Sequence, residues 1–177
     1  MKKLIAILAI FLANFAFAQT MYINNIKADL MDPQTKKVVG EIYEGTSVEV
    51  LKKDGDMSLV QISGEVSDTD KKVIALKKEP FFVFYKLNDK DAKSKDTFLI
   101  KTKELTDDEL TSWEEIDLTY YDTCSSCHAA HKPKEHLMSE WEAYLLAMQT
   151  FAKINDKEKD RILRYLQAFA KDGVVKE

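Results

Sequence analysis

The chain has 177 residues, of which 45% are hydrophobic and 32% charged, and its net charge is −4. That size allows one or two small domains and excludes a large multidomain enzyme. Five Gly and three Pro exclude a low-complexity chain, two Cys exclude a disulfide framework, and the acidic balance argues against a nucleic-acid partner, which needs a basic face.

The first element is not part of a fold. Lys2 and Lys3 form a positive start, Leu4 to Phe17 is apolar apart from Asn14, and Ala16-Phe17-Ala18 is a small-x-small cleavage site before Gln19. This pattern predicts a secretory signal peptide over residues 1–18. The apolar run falls short of the roughly 20 residues that span a bilayer, so no stable membrane insertion is expected after cleavage. The expected location is the periplasm.

Residues 19–105 carry 15 Lys against 15 Asp and Glu, whereas residues 106–177 carry 9 Lys and Arg against 15 acids. All three His, both Cys and both Trp lie in the second part. The asymmetry predicts two domains with a boundary near 105, and an α+β chain overall.

In the first part, short alternating runs predict about six strands: 38–43, 46–51, 57–62, 73–76, 81–87 and 98–102. Asp54-Gly55 marks a hairpin turn, because Gly tolerates positive φ. Residues 88–96 are dense in charge and predict a solvated loop. Gly40, Gly45-Thr46, Val48-Glu49-Val50, Asp54-Gly55-Asp56 and the closing Val60-x-Ile62-x-Gly64 resemble bacterial SH3-like domains. That resemblance implies a small β barrel over 19–105 that docks onto a partner or serves as a spacer.

The second part carries the chemistry. Cys124-Ser125-Ser126-Cys127-His128 has the spacing of a c-type haem attachment site. Thiols at i and i+3 stand one helical turn apart on one face, where they reach the two vinyl groups on one porphyrin edge. His128 follows at once and is the expected proximal iron ligand. Two other chemistries compete. A redox disulfide would use the Cys pair but not His128, and no thioredoxin-like βαβ pattern surrounds it. A zinc site would use Cys124, Cys127 and two of His128, His131 and His136, in a crowded arrangement.

The flanks predict helices. Tyr120 and Tyr121 lie on a short helix before the motif, which Pro133 is expected to end. Thr106 with Glu109 predicts a helix start before Trp113. Residues 139–154 place Trp141, Leu145, Met148 and Ala152 on one apolar stripe. Asn155 with Glu158 predicts a capped helix that buries Ile162, Leu163, Leu166 and Phe169, with Gly173 as its stop. About 72 residues make a thin core, so the haem-free domain is expected to fold poorly. The sixth iron position is open to Met148, His136, Met138 or His131, or is vacant. Met148 leads because its stripe should face the haem, and His136 is the alternate.

From Tyr120 to Lys171 the pattern of Cys-x-x-Cys-His, Pro133, His136, Trp141, Met148 and a final Arg-Tyr-Leu-Gln-x-x-Ala-Lys-Asp at 164–172 resembles the C-terminal monohaem domain of the multihaem cytochromes that feed periplasmic trimethylamine-N-oxide reductases. Those cytochromes begin with a membrane anchor and a four-haem domain, which are not found in this sequence. The resemblance implies one covalent haem c and electron delivery to a molybdopterin-type reductase, with a quinol-linked cytochrome as upstream donor.

The expected protein is therefore a periplasmic one-electron carrier without catalytic residues. The rivals are a haem-based sensor or peroxidase-like protein with a displaceable sixth ligand, and an SH3-like interaction module with a structural haem. Residues 107–122 hold seven acids and no bases. They either steer a basic partner or stabilise a helix start and are otherwise solvated.

Overall fold

The computed structural model describes residues 19–176; the expected signal peptide, residues 1–18, lies outside the described residues. Ten strands and three α-helices follow in chain order. The strands are β1 (Gln19–Ile23), β2 (Lys27–Met31), β3 (Val38–Tyr43), β4 (Ser47–Asp54), β5 (Met57–Ser63), β6 (Glu65–Val66), β7 (Val73–Ala75), β8 (Val83–Leu87), β9 (Lys95–Lys101) and β10 (Leu105–Thr106). The helices are α1 (Glu114–Cys124), α2 (Met138–Ala152) and α3 (Asp156–Ala168). The chain is thus α+β, with the strands first and the helices last.

Alternation explains most of the strands. Val48 and Val50 of β4 and Ser58, Val60 and Ile62 of β5 point inward, while their neighbours face out. Gly55, at φ 57°, turns β4 into β5, and Asp54 pairs with Met57. In β9 Phe98, Leu99 and Ile100 are all buried, as suits a strand covered on both faces. It pairs antiparallel with β5 and with β2. Its first residues, Lys95 and Asp96, belong to the stretch expected as loop.

The strands form one antiparallel sheet in the order β10-β1-β4-β5-β9-β2-β3-β8-β7-β6. This corrects the expected small barrel, because the sheet is not closed. Its two ends, β10 and β6, offer two residues of ladder each and do not pair with one another. Edges this short are also poor templates for a foreign strand. The count of ten exceeds the expected six. β1 and β2 escaped notice because each carries only a few apolar positions among polar ones, and β6 and β10 are too short to show a period.

Three helix boundaries are corrected too. The helix before the motif ends at Cys124, not at Pro133, which instead opens a short 3₁₀ turn over Pro133–Glu135. Proline suits a first helical position, where its missing N–H is not needed. Thr106 ends a strand, and the helical path starts with a 3₁₀ turn at Thr111–Trp113. α3 stops at Ala168, so Gly173 is not its cap. Gly173 is a close-approach position: a Cβ there would lie 2.3 Å from the Ala168 carbonyl oxygen.

The buried core runs without a break from the sheet into the helices. β10 lies at the expected boundary and pairs with β1. Trp113 is 2% exposed and packs on the turn after β3, where Gly45 sits at φ 72° and a Cβ would fall 1.9 Å from the indole. Beside it the buried Glu44 accepts two hydrogen bonds from Arg161, at 2.7 and 2.6 Å, and lies 3.6 Å from Arg164. Arg164 in turn stacks over the Tyr43 ring at 4.3 Å.

Candidate haem site

α1 delivers the motif. Ile116 and Tyr120 anchor its inner face, which leaves Cys124 half-buried at the C-terminal end. The chain then turns, and Cys127 and His128 are exposed. Burial pushes the Cys124 thiol above its usual range.

A cavity of about 630 Å³ opens beside the motif. Cys124, Cys127 and His128 form part of its wall, together with Tyr120 of α1 and Leu166 of α3. α2 supplies most of the rest, and its four stripe residues, Trp141, Leu145, Met148 and Ala152, all line the cavity. So do Tyr144 and Phe151, which the stripe did not include. Each lies three residues beyond a stripe member, a spacing that marks the same helix face.

The lining tests whether a haem suits the place. Tyr144, Met148 and Phe151 are 49%, 45% and 76% exposed, so large apolar surface meets solvent in one concave spot. The volume lies in the usual range for cofactor sites, and such a lining is expected to be covered. Two thiols and an imidazole at its edge complete the donor set of a covalent haem. The residues fit that group.

His128 is already oriented. Its Nδ1 lies 2.9 Å from the Ala129 carbonyl oxygen. A carbonyl can only accept, so this contact suits the tautomer with its proton on Nδ1, in which Nε2 is the nitrogen that can face a metal. The following segment has little regular structure, yet it is held from three sides. The Tyr120 hydroxyl donates to the His131 carbonyl at 2.7 Å, and the buried Trp141 indole donates to the Pro133 carbonyl at 2.9 Å. The Lys171 N–H donates to the His136 carbonyl at 2.9 Å. The aromatic residues thus place the backbone around the motif as well as pack; no signal in the sequence separates these two roles.

The four candidates for the sixth position lie in different settings. Met148 and His131 line the cavity, and the His131 ring stands 6.3 Å from that of His128. His136 is not part of the wall; its ring is held between Tyr144 and Trp141, at 4.3 and 4.8 Å. Met138 is fully buried at the start of α2, with its N–H bonded to Asp172. The Cys-containing zinc site is not assembled: among the described residues, the group whose ligand atoms converge is His131, Glu135 and His136, without either Cys.

The acidic stretch is partly spent inside the molecule. Glu114, Glu115 and Asp117 fall in the first turn of α1, where they suit the positive helix end. Glu115 pairs with Arg161 at 3.2 Å, and Asp117 accepts from the Tyr165 hydroxyl.

No helix among the described residues is long and apolar enough to cross a membrane. No family model matches the chain, and no solved structure matches it. Two curated proteins do: the cytochrome c-type proteins TorC of Escherichia coli O157:H7 and of Escherichia coli strain K12. Each is 24% identical over 180 residues, covering 89% of this chain and 45% of its own length. The chain thus spans about half the length of the curated relatives it matches, and it is distantly related to c-type cytochromes.

Proposed function

We propose that the chain is a periplasmic monohaem c-type cytochrome that carries single electrons. Cys124 and Cys127 would hold the haem through thioethers, His128 would bind its iron through Nε2, and Met148 would supply the second protein ligand to the iron. The observation that carries this reading is the Cys-x-x-Cys-His motif set into the wall of an apolar cavity whose lining is otherwise left in water. Bound there, the haem supplies a one-electron couple. The chain's own residues do the rest. The two thiols would anchor the group, and the apolar side chains of α2 would keep water from it in the cavity. Histidine with methionine as iron ligands would raise the potential relative to two histidines.

The terminal acceptor is a molybdenum-cofactor reductase of an S- or N-oxide, with a quinol-linked cytochrome upstream. The distant likeness to the TorC proteins supports this place, as does the resemblance of residues 120–171. Residues 19–105, the open sheet, serve as a docking or spacer part, and residues 106–177 carry the haem. The exported chain is an electron carrier, not an enzyme, once residues 1–18 are removed.

The test is a haem stain on a denaturing gel, after expression with a working cytochrome-maturation apparatus. A stained band at the mature mass is expected, and Cys124→Ala with Cys127→Ala abolishes it. A colourless mature protein overturns the proposal.

A further inference from the structure

We propose that His131, Glu135 and His136 form a separate site for a divalent transition-metal ion of the zinc type, at the edge of the cavity and independent of the haem. One ligand atom from each residue lies within 4.8 Å of the other two. Two imidazoles and one carboxylate are a known three-residue zinc donor set, with the fourth position left to water. Around an ion held at about 2.1 Å, tetrahedral ligands stand roughly 3.4 Å apart. His131 Nδ1 and Glu135 Oε2 are already closer than that, at 2.9 Å. Sharing one ion therefore means opening that pair by a few tenths of an ångström and drawing in any ligand atom that stands farther away, within the 4.8 Å limit.

The backbone that presents them is pinned. The three residues lie around the 3₁₀ turn opened by Pro133: His131 before it, Glu135 at its end and His136 just after. The carbonyls of His131, Pro133 and His136 accept hydrogen bonds from Tyr120, Trp141 and Lys171 respectively. These contacts come from α1, α2 and the segment after α3, and they use the backbone and not the ligand side chains. The His136 imidazole is further held by the Tyr144 and Trp141 rings, and its Nδ1 lies 3.9 Å from Glu140 Oε2. Glu140 also caps the Leu137 N–H at 2.7 Å, which keeps its carboxylate near the ring but beyond hydrogen-bond distance. The His131 and Glu135 side chains are 60% and 47% exposed, which gives an ion a path in from solvent.

This site uses none of Cys124, Cys127, His128 or Met148. Its assignment leaves His136 to the divalent ion and the distal iron position to another residue. Only that last consequence rests on the haem reading.

The experiment is a calorimetric titration of the purified full-length mature protein with zinc chloride alone, after chelator treatment, with the haem absorption spectrum recorded at each step. One equivalent is expected to bind, with the haem spectrum unchanged. Glu135→Gln and His131→Ala are each expected to weaken binding at least about tenfold. Both positions are exposed, and unchanged circular dichroism shows that the variants fold. Absence of saturable zinc uptake overturns the proposal, as does uptake that neither substitution weakens. It also falls if His136→Ala converts a two-imidazole iron spectrum to another type, because His136 then belongs to the iron. A colourless protein leaves the titration readable, so failure of the haem reading and failure of this site give different results.

Discussion

Met148 illustrates how much one side chain depends on what covers it. At 45% exposure it contributes little to the protein core, so Met148→Ala is expected to leave the fold intact. If Met148 binds the iron, the oxidised protein shows a weak near-infrared band from the thioether, and the substitution removes it. An unchanged band eliminates Met148 as ligand. Gly45 is the opposite case, a position with no room at all. Its φ of 72° is unfavourable to any side chain, and a Cβ would enter the Trp113 ring. Gly45→Ala is expected to cost about 2–4 kcal/mol in urea unfolding, combining backbone strain with overpacking. A loss below about 1 kcal/mol would show that Trp113 can move aside.

At the scale of elements, α2 and α3 differ in what holds them. α3 has a complete capping box: the Asn155 side chain accepts from the Lys157 and Glu158 N–H groups, and Glu158 accepts from the Asn155 N–H. Asn155→Ala should therefore cost about 1 kcal/mol, read as a lower Tm in the circular dichroism of the folded protein. α2 takes its polar caps from Glu140, on the Leu137 N–H, and from Asp172, on the Met138 N–H, and turns several apolar residues toward the cavity. Its stripe was legible because four residues share a 3.6-residue period. The exposed Tyr144 and Phe151 were not, since an apolar residue beside a stripe reads equally well as core or as surface. The strands show the same division. β4 and β5 announce themselves by alternation around Asp54-Gly55, whereas β1 and β10 depend on each other across more than 80 residues and carry too short a pattern to stand out.

For the whole molecule, the junction at Glu44 joins sheet and helices. Glu44 is 3% exposed and faces two arginines, with Arg161 bound through both carboxylate oxygens. A buried pair of this kind adds little net stability but is costly to break, because the orphaned charge stays desolvated. Glu44→Ala is expected to cost about 3–5 kcal/mol. With one continuous core, far-ultraviolet and aromatic signals should report a single transition in both proteins. Two separated transitions would show that the halves unfold independently. No local pattern pointed to this contact: Glu44 and Arg161 are 117 positions apart, and each resembles an ordinary surface charge in its own neighbourhood.

The order of amino acids by itself determined the local features: an α+β chain with its strands first, the hairpin at Gly55, the capped start of α3, the stripe on α2 and the spacing of Cys124, Cys127 and His128. Each rests on interactions within a few residues, which a short window contains. Only the tertiary structure decided that the sheet stays open, that Trp113 seats on Gly45, and that the motif borders an apolar cavity with His131, Glu135 and His136 gathered at its edge. Those outcomes depend on which distant surfaces meet, and hydrophobic burial is non-directional, so composition and period specify that a face is buried but not against what.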